Sequence, residues 1–151
     1  MTRYRDLTWM SMIVIMMINL ISISAGAADW VAMDSGTKNI LHGVWANSGN
    51  DAFAVGDNGT ILHYDGSAWT VMKSGTKNAL NGVWGSSGTD VFAVGEDGII
   101  LHYDGSKWKK MNSDTEFPLT RLWGSSGNDV FAVGDWGAIV HYDGSAWKGI
   151  Q

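Results

Sequence analysis

Apolar residues occur along the chain in short runs that are separated by clusters of Gly, Asp, Asn and Ser. In the middle of the chain the runs cover residues 80–84, 91–94, 99–103 and 108–111. Each run is rich in Val, Ile, Phe, Tyr and Trp and is too short for a helix, so the pattern predicts β-strands. The sequence therefore predicts units of four strands, a to d in chain order.

The polar clusters between the runs have the composition of tight turns. Asn58-Gly59 and Asp97-Gly98 stand between strands b and c, where both central residues of a two-residue hairpin need positive φ angles. Asp-Gly also recurs between strands c and d, where the aspartates are Asp65, Asp104 and Asp143. Turns this short join neighbouring antiparallel strands, so each unit is predicted to be a four-stranded meander.

The unit recurs every 39 residues without an insertion. The repeated residues include Trp30, Trp69, Trp108 and Trp147; Trp45, Trp84 and Trp123; and His63, His102 and His141. The second strand, Val-Phe-Ala-Val, is apolar at every position, which is typical of a strand that is buried on both faces. Neighbouring units that stack on a meander can cover both of its faces, and four strands in about 40 residues predict a β-propeller blade.

The predicted fold class is all-β, with three four-stranded antiparallel blades and one extra N-terminal strand at residues 30–33. The repeat units are 30–68, 69–107 and 108–146, and the last strand covers 147–151. Closed propellers have about 4 to 8 blades. Three blades therefore predict an open arc or part of an oligomeric ring that forms by self-association, and additional blades in a longer protein are the alternative. A β-solenoid usually has a shorter repeat.

The repeat resembles a known type of blade. Its pattern is Leu-x-Gly-Val-Trp-Gly-Ser-Ser-Gly-x-Asp-Val-Phe-Ala-Val-Gly-x-x-Gly-x-Ile-Leu-His-Tyr-Asp-Gly-Ser-x-Trp. This pattern is similar to blades of secreted β-propeller proteins in the loose WD, YVTN and BNR (Asp-box) group, and the similarity covers residues 30–151. It implies the propeller fold but no particular activity. The Asp-Gly-Ser-x-Trp corner departs from an Asp box, because one residue is missing between Asp and Gly.

Residues 1–27 are predicted to be a secretory signal peptide. Arg3 and Arg5 precede an uncharged stretch at 7–28, and Ala-Gly-Ala at 25–27 offers a small-residue cleavage site. The alternative is an uncleaved signal anchor, because the uncharged stretch is just long enough to span a bilayer. Both interpretations place the repeat domain, residues 28–151, outside the cytoplasm as a secreted or cell-surface protein.

Charge and composition exclude several classes of function. Without residues 1–27 the chain keeps 8 basic and 14 acidic side chains, a net charge of −6, whereas nucleic-acid binding needs a basic surface. The chain has no Cys, so it has neither a thiolate metal site nor a Cys nucleophile. Asp57 and Asp135 do not complete a calcium loop. No metal and no cofactor are therefore predicted.

Residues that suggest chemistry recur at the same place in every unit. His63, Asp65 and Ser67 have the types of a catalytic triad, but one active site does not need three copies on three blades. The predicted role is structural, and it covers Trp45, Trp84 and Trp123, His63, His102 and His141, and Asp65, Asp104 and Asp143. The alternative for the tryptophans is a set of carbohydrate-stacking platforms between blades.

A hydrolase is the enzymatic alternative. The resemblance to Asp-box propellers implies a comparison with sialidases, which use a cluster of arginines. Residues 28–151 contain a single arginine, Arg121. Other glycoside hydrolases need a pair of carboxylates, and no pair differs from the repeated set. The chain is therefore predicted not to be an enzyme.

The units differ most in two loops, which a four-stranded meander places at the same end. One is the link from strand d to the next strand a, and the other is the tip between strands b and c. The predicted ligand-face residues in these loops are Trp136, Phe117, Asp57, Asn58, Glu96, Asp97, Asp135, Lys38 and Lys77. An aromatic pair in surface loops is typical of a contact site. The predicted function is an extracytoplasmic, non-enzymatic binding or scaffold module for a protein or glycan ligand, and a lectin-like propeller is the alternative.

Overall fold

The computed structural model describes residues 31–150, which form twelve β-strands and three 3-10 turns. Blade 1 contains β1 (Leu41–Ser48), β2 (Asp51–Gly56), β3 (Thr60–Tyr64) and β4 (Trp69–Met72). Blade 2 contains β5 (Leu80–Ser87), β6 (Asp90–Gly95), β7 (Ile100–Tyr103) and β8 (Trp108–Met111). Blade 3 contains β9 (Leu119–Ser126), β10 (Asp129–Gly134), β11 (Ile139–Tyr142) and β12 (Trp147–Gly149).

Each blade is a separate four-stranded antiparallel sheet in which neighbours in the chain are neighbours in the sheet. The predicted all-β fold with three four-stranded propeller blades is confirmed. No helix in this part of the chain is long and apolar enough to cross a membrane. The predicted leader at residues 1–27 lies outside the residues that the structure describes.

The first strand of a blade is longer than its apolar run. In blade 2 the run ends at Trp84, but β5 continues to Ser87, which pairs with Asp90 of β6. A register shift between Gly85 and Ser87 accommodates the extra residues, as a β-bulge does. The strand therefore ends at the turn rather than at the last apolar side chain.

The tips between strands b and c have the backbone that the sequence predicts. Asn58 and Gly59 have φ angles of 56° and 67°, and Asp97 and Gly98 have φ angles of 54° and 62°. Asn, Asp and Gly adopt this left-handed region more readily than other residues do. In blade 3 the same position is held by Trp136, whose φ angle is 58°.

The hydrophobic core lies between the blades. In β6, Phe92 and Val94 pack towards blade 3, whereas Val91 and Ala93 pack towards blade 1. Side chains along a strand alternate between its two faces, so a strand that is apolar throughout serves two interfaces. The Val-Phe-Ala-Val run of blade 2 is therefore buried on both faces, as predicted.

The extra N-terminal strand that was predicted at residues 30–33 does not form within 31–33. A fourth strand exists by pairing with the third strand of its own blade, as Met72 pairs with Ile61. The corresponding partners would be residues 22–24, which lie in the predicted leader and outside the 39-residue repeats. Met33 and Trp69 nevertheless line one groove, as Met72 and Trp108 do one repeat later.

Candidate functional site

The repeated histidines are bound within the blades. His63 Nε2 lies 2.8 Å from Asp51 Oδ1, and His102 and His141 make the same pair with Asp90 and Asp129 at 2.7 Å. Each ring also packs on the phenylalanine of strand b, with centroid separations of 4.1–4.6 Å. The pairs join strands b and c of one sheet.

The triad interpretation of His63, Asp65 and Ser67 has no geometric basis, because these residues do not form one hydrogen-bonded relay. His63 is paired with Asp51, whereas Asp65 Oδ1 accepts bonds from Ser67 N at 2.9 Å, Ser67 Oγ at 2.7 Å and Ala68 N at 3.0 Å. The bond from the Ser67 hydroxyl, together with those from the two backbone amides, lowers the pKa of Asp65 to about 2. The aspartate therefore holds the turn between strands c and d.

The same turn recurs in the other two blades with one addition. Asp104 and Asp143 accept bonds from the following serine and from the next backbone amide, as Asp65 does. Each also binds a lysine at 2.6 Å, Lys109 and Lys148 respectively. The lysine is the first cause, and the serine the second, of the lowered pKa of each carboxyl group.

The repeated tryptophans have different environments along the arc. Trp45 and Trp84 lie against Gly85 and Gly124 of the following blade, at the two interfaces. Trp123 has the same position in blade 3 and is 65% exposed. In strand d, Trp108 and Trp147 are buried, and within residues 31–150 their indole Nε1 atoms have no hydrogen-bond partner. These two buried rings offer no open face for stacking on a sugar.

The variable loops meet at one end of each blade, as predicted. The amides of Asp57, Glu96 and Asp135 at the three tips donate to carbonyls of the d–a links at 2.9–3.0 Å. The accepting carbonyls belong to Ile40, Ala79 and Pro118. Each tip and its adjoining link therefore form one surface, which we call the loop end of the blade.

Polar side chains close the loop ends of blades 1 and 2. Asn58 Nδ2 donates to Asn39 Oδ1 at 3.2 Å, and Asp57 Oδ1 lies 2.6 Å from His42 Nε2. In blade 2, Asn78 Nδ2 donates to Asp97 Oδ2 at 2.9 Å. Three further candidates on these two blades are exposed to solvent: Lys38, Lys77 and Glu96.

The loop end of blade 3 is aromatic and open. Trp136 is 86% exposed and Phe117 is 49% exposed. Both line a cavity of about 200 Å³ that also includes Ile139, Ile150 and Asp114. Asp135, at the start of this tip, is exposed beside them. The structure therefore brings Trp136, Phe117 and Asp135 to one loop end, whereas the other candidates lie at the loop ends of blades 1 and 2.

A second hollow was not predicted from the sequence. The first strands of the three blades border a cavity of about 230 Å³ that is lined by His42, Asn81 and Arg121, among others. The Arg121 guanidinium donates to the backbone oxygen of Thr120 at 2.7 Å. The sequence does hold a signal for this site, because Arg121 replaces the glycine that the first two repeats have at Gly43 and Gly82.

No group of three or more His, Asp or Glu side chains converges as metal ligands in the region that the structure covers. The His–Asp pairs between strands b and c have only two members each, and the same pair is found in all three blades. Each of these pairs joins strands b and c of its own blade.

Three four-stranded antiparallel sheets that stack through a repeated apolar interface define an arc of β-propeller blades. Two solved structures with this fold are those of YCF48. A structure of YCF48 bound to a D1 peptide matches with a TM-score of 0.68 and 21% identity over 80% of this chain and 42% of that chain. YCF48 from Cyanidioschyzon merolae matches with a TM-score of 0.67 and 19% identity over 81% of this chain and 43% of that chain.

The chain thus spans less than half the length of each of these structures. No protein-family model matches the chain, and no curated protein sequence does either. The similarity to YCF48 supports the fold of β-propeller repeats. The resemblance to secreted WD, YVTN and BNR proteins stays a prediction.

Proposed function

We propose that this protein is a non-enzymatic, protein-binding propeller module that holds a peptide segment of its ligand at the loop end of blade 3. The observation that carries the proposal is the position of Trp136. This side chain is 86% exposed at the tip of a hairpin, and its φ angle is 58°. A bulky residue in this conformation is an outlier among proteins.

The conformation of Trp136 has an energetic cost in the free protein. A left-handed backbone costs an L-residue about 1–2 kcal/mol, and Asn58 and Asp97 at the same position are better suited to it. Because the Trp136 ring stays exposed in the folded chain, hydrophobic burial does not offset this cost. A ligand that covers the indole would offset it, because a large aromatic side chain buries about 150–250 Å².

The surroundings of Trp136 indicate the chemistry of the ligand. The cavity beside it is lined by Phe117, Ile139 and Ile150, which are apolar, and by Asp114. Asp135 and Glu116 add negative charge to the loops around it. This combination suits a peptide that inserts an apolar side chain and carries basic residues next to it. One of the YCF48 structures holds a D1 peptide, so peptide binding by a protein of this fold supports the proposal.

The test begins with a phage-displayed library of random peptides that is selected on the purified chain. We expect enriched peptides with an apolar residue next to basic ones, and we expect Trp136→Asn to weaken their binding at least about tenfold, as loss of an aromatic hot spot does. Trp136→Asn should also raise the free energy of unfolding by about 1 kcal/mol, because Asn tolerates the left-handed backbone. Isothermal titration calorimetry and urea denaturation measure the two effects.

The matched control is Val71→Ser, which removes another exposed apolar side chain far along the chain, on β4 of blade 1. Peptide affinity should be unchanged in this variant. Peptides that bind Trp136→Asn as tightly as the parent chain would show that the site lies elsewhere. If no peptide is enriched from the library and the chain binds a glycan array, the result would instead favour the lectin-like alternative.

The proposed location is outside the cytoplasm, either secreted or at the cell surface. Its support is the sequence of residues 1–27, with Arg3 and Arg5 before an apolar stretch and small residues at 25–27. Fusion of the chain to a phosphatase that is active only outside the cytoplasm should give active enzyme. A fusion that is active only after cell lysis and refolding would contradict the location.

A further inference from the structure

The outer face of blade 3 has the side chains of an interface but no partner in residues 31–150. It consists of Trp123, Phe131, Val133 and Ile139, all of which are exposed. Phe131 is 38% exposed, whereas its counterpart Phe92 is 1% exposed because blade 3 covers it. The residue types at these four positions are identical in blade 2 and blade 3.

The outer face of blade 1, at the other end of the arc, has the complementary side chains. It consists of Leu41, Val44, Ala54 and Trp69, which line an apolar hollow of about 390 Å³. The corresponding residues of blade 2, Leu80, Val83, Ala93 and Trp108, are all buried against blade 1. Val44 is 69% exposed. Blade 1 therefore presents the receiving half of the interface that blade 2 uses.

We propose that blade 1 of a second copy of this chain docks on the outer face of blade 3. This contact shares Ile139 with the peptide site that was proposed above, but its other residues are different. It repeats the two interfaces inside the chain, in which Phe53 and Phe92 insert beside a Tyr and a Trp of the next blade at centroid separations of 5.7–6.1 Å. Phe131 then inserts beside Tyr64 and Trp69 of the second copy.

A polar contact at the rim also fits. The Asp51 carboxylate closes over Gly88 of the next blade, and the Asp90 carboxylate closes over Gly127, so closely that an added Cβ on either glycine would collide with the carboxylate. Asp129 is the next aspartate in this series, and Gly49 of blade 1 is the glycine that it meets. Gly49 has no described atom within 4 Å of the position of a Cβ, so its surface is free to receive the carboxylate.

One residue departs from the pattern and sets the strength of the contact. Trp45 and Trp84 lie on Gly85 and Gly124, where an added Cβ would be 2.8 Å and 2.7 Å from the indole. Blade 1 has Ala46 at this position, so Trp123 of the docking copy meets a methyl group. The contact between copies is consequently weaker than the internal interfaces, and it is reversible.

The docking surface is partly occupied by Met33 of the receiving chain. Met33 lies beside Trp69, in the place that strand d of a preceding blade has. Met33 belongs to no strand and is 55% exposed, so it can move aside at little cost. The contact joins two different surfaces, which is a head-to-tail arrangement that either closes into a ring or extends into a chain.

The test is a disulfide cross-link, because the chain has no cysteine of its own. The full chain carrying Asp129→Cys is mixed in mild detergent with the full chain carrying Gly49→Cys, under a mild oxidant. We expect a cross-linked heterodimer on a non-reducing gel, and only traces of dimer when either variant is oxidised alone. The geometric control is Asp90→Cys with Gly127→Cys, the equivalent pair inside one chain, which should form an intramolecular disulfide.

Two further variants connect the cross-link to the proposed faces, and a third serves as their control. Trp123→Ser should lower the yield of heterodimer at least about tenfold, since the central aromatic side chain of the contact is lost. Ala46→Gly should raise the yield of heterodimer. Non-specific association of apolar surfaces would not predict this increase. Phe117→Ser, which alters only the proposed peptide site, should leave the yield unchanged.

Sedimentation velocity on chains without cysteine gives an independent measurement. The dissociation constant of the assembly should rise from Ala46→Gly to the parent chain and again to Trp123→Ser. Formation of the intramolecular control disulfide without any heterodimer would overturn the proposal. So would a dissociation constant that is the same in all three chains, or a parent chain that remains monomeric at every concentration.

Discussion

The Asp65 carboxylate shows how a single side chain fixes a turn. It accepts bonds from Ser67 and Ala68, which lie two and three residues further along the chain. An aspartate that binds its own backbone in this way replaces the hydrogen bonds that a sheet would otherwise provide. The three c–d corners keep this aspartate, and the chain reverses direction at each of them without a disulfide.

The turn predicts a pH dependence that can be assigned to one residue. The folded pKa of Asp65 is about 2, below the value of 3.8 for a free side chain. The ionised carboxylate therefore stabilises the fold fully above about pH 4, and this contribution is lost as the pH falls from about 4 towards 2. Asp65→Asn should flatten the dependence of the free energy of unfolding on pH in that window, as measured by urea denaturation.

The cause of the lowered pKa can be tested by NMR titration of the Asp65 carboxyl group. Ser67→Ala removes the largest cause and should move the pKa of Asp65 upwards. Ser106→Ala removes the equivalent hydroxyl group in blade 2 and should have no effect on Asp65. An Asp65 pKa close to 3.8 in the parent chain would contradict the role of this turn.

At the scale of the strands and their interfaces, glycines allow the blades to approach closely. Gly85 lies on β5, and an added Cβ would be 2.8 Å from the Trp45 ring and 2.9 Å from the backbone oxygen of Asp90. Neither the half-buried Trp45 ring, which packs against the core, nor the backbone oxygen can easily move. The glycine at this position therefore sets the distance between blades 1 and 2.

Gly85→Ala should lower the free energy of unfolding by about 1–3 kcal/mol, which is the usual effect of overpacking an interface. The matched control is Gly49→Ala, on the a–b turn of blade 1, which has no described atom near its Cβ position and no positive φ angle. At protein concentrations too low for copies to associate, it should change stability by less than about 0.5 kcal/mol. Equal losses of stability in the two variants, measured by urea denaturation, would disprove the close-approach argument.

The strands and tips could be predicted because each strand pairs with its neighbours in the chain within one blade. No strand forms within residues 31–33, because their pairing partners would be residues 22–24, which lie outside the 39-residue repeats. The sequence pattern did not identify the hydrogen-bond partner of His63. The register of strands b and c brings Asp51 to this histidine, whereas Asp65, which is nearer in sequence, binds elsewhere.

The candidate site was predicted in part. Trp136 and Phe117 stood out because they replace small or polar residues of the earlier repeats, and the structure brings them together. The hollow beside Arg121 was missed because it depends on three first strands lying side by side. Contacts between repeats follow from how blades stack, which the spacing within one repeat does not specify.

For the whole molecule, the position of a residue along the arc decides its energetic role. Phe92→Ala should lower the free energy of unfolding by about 3–5 kcal/mol, because the ring is buried between two blades. Phe131→Ala removes the same side chain one repeat later and should cost less than half as much in dilute solution. Chemical denaturation of both variants at low protein concentration measures the difference.

A dependence on protein concentration separates the two variants further. The decrease in the free energy of unfolding that Phe131→Ala causes should become larger as the protein concentration rises, because a second copy buries the Phe131 ring in the parent chain. The decrease that Phe92→Ala causes should stay constant. Equal losses in dilute solution would mean that Phe131 is already covered within one chain.

The constant spacing of the repeat also bears on how such an arc can change in length. Every 39-residue unit has the same Asp-Gly corner between strands c and d and the same rim aspartate, and blades 2 and 3 also have the glycine that meets the tryptophan of the preceding blade. A duplication of 39 codons within the gene would insert one complete blade and leave both outer faces as they are. Blade number in this protein can thus evolve by single recombination events, without new interfaces having to be selected.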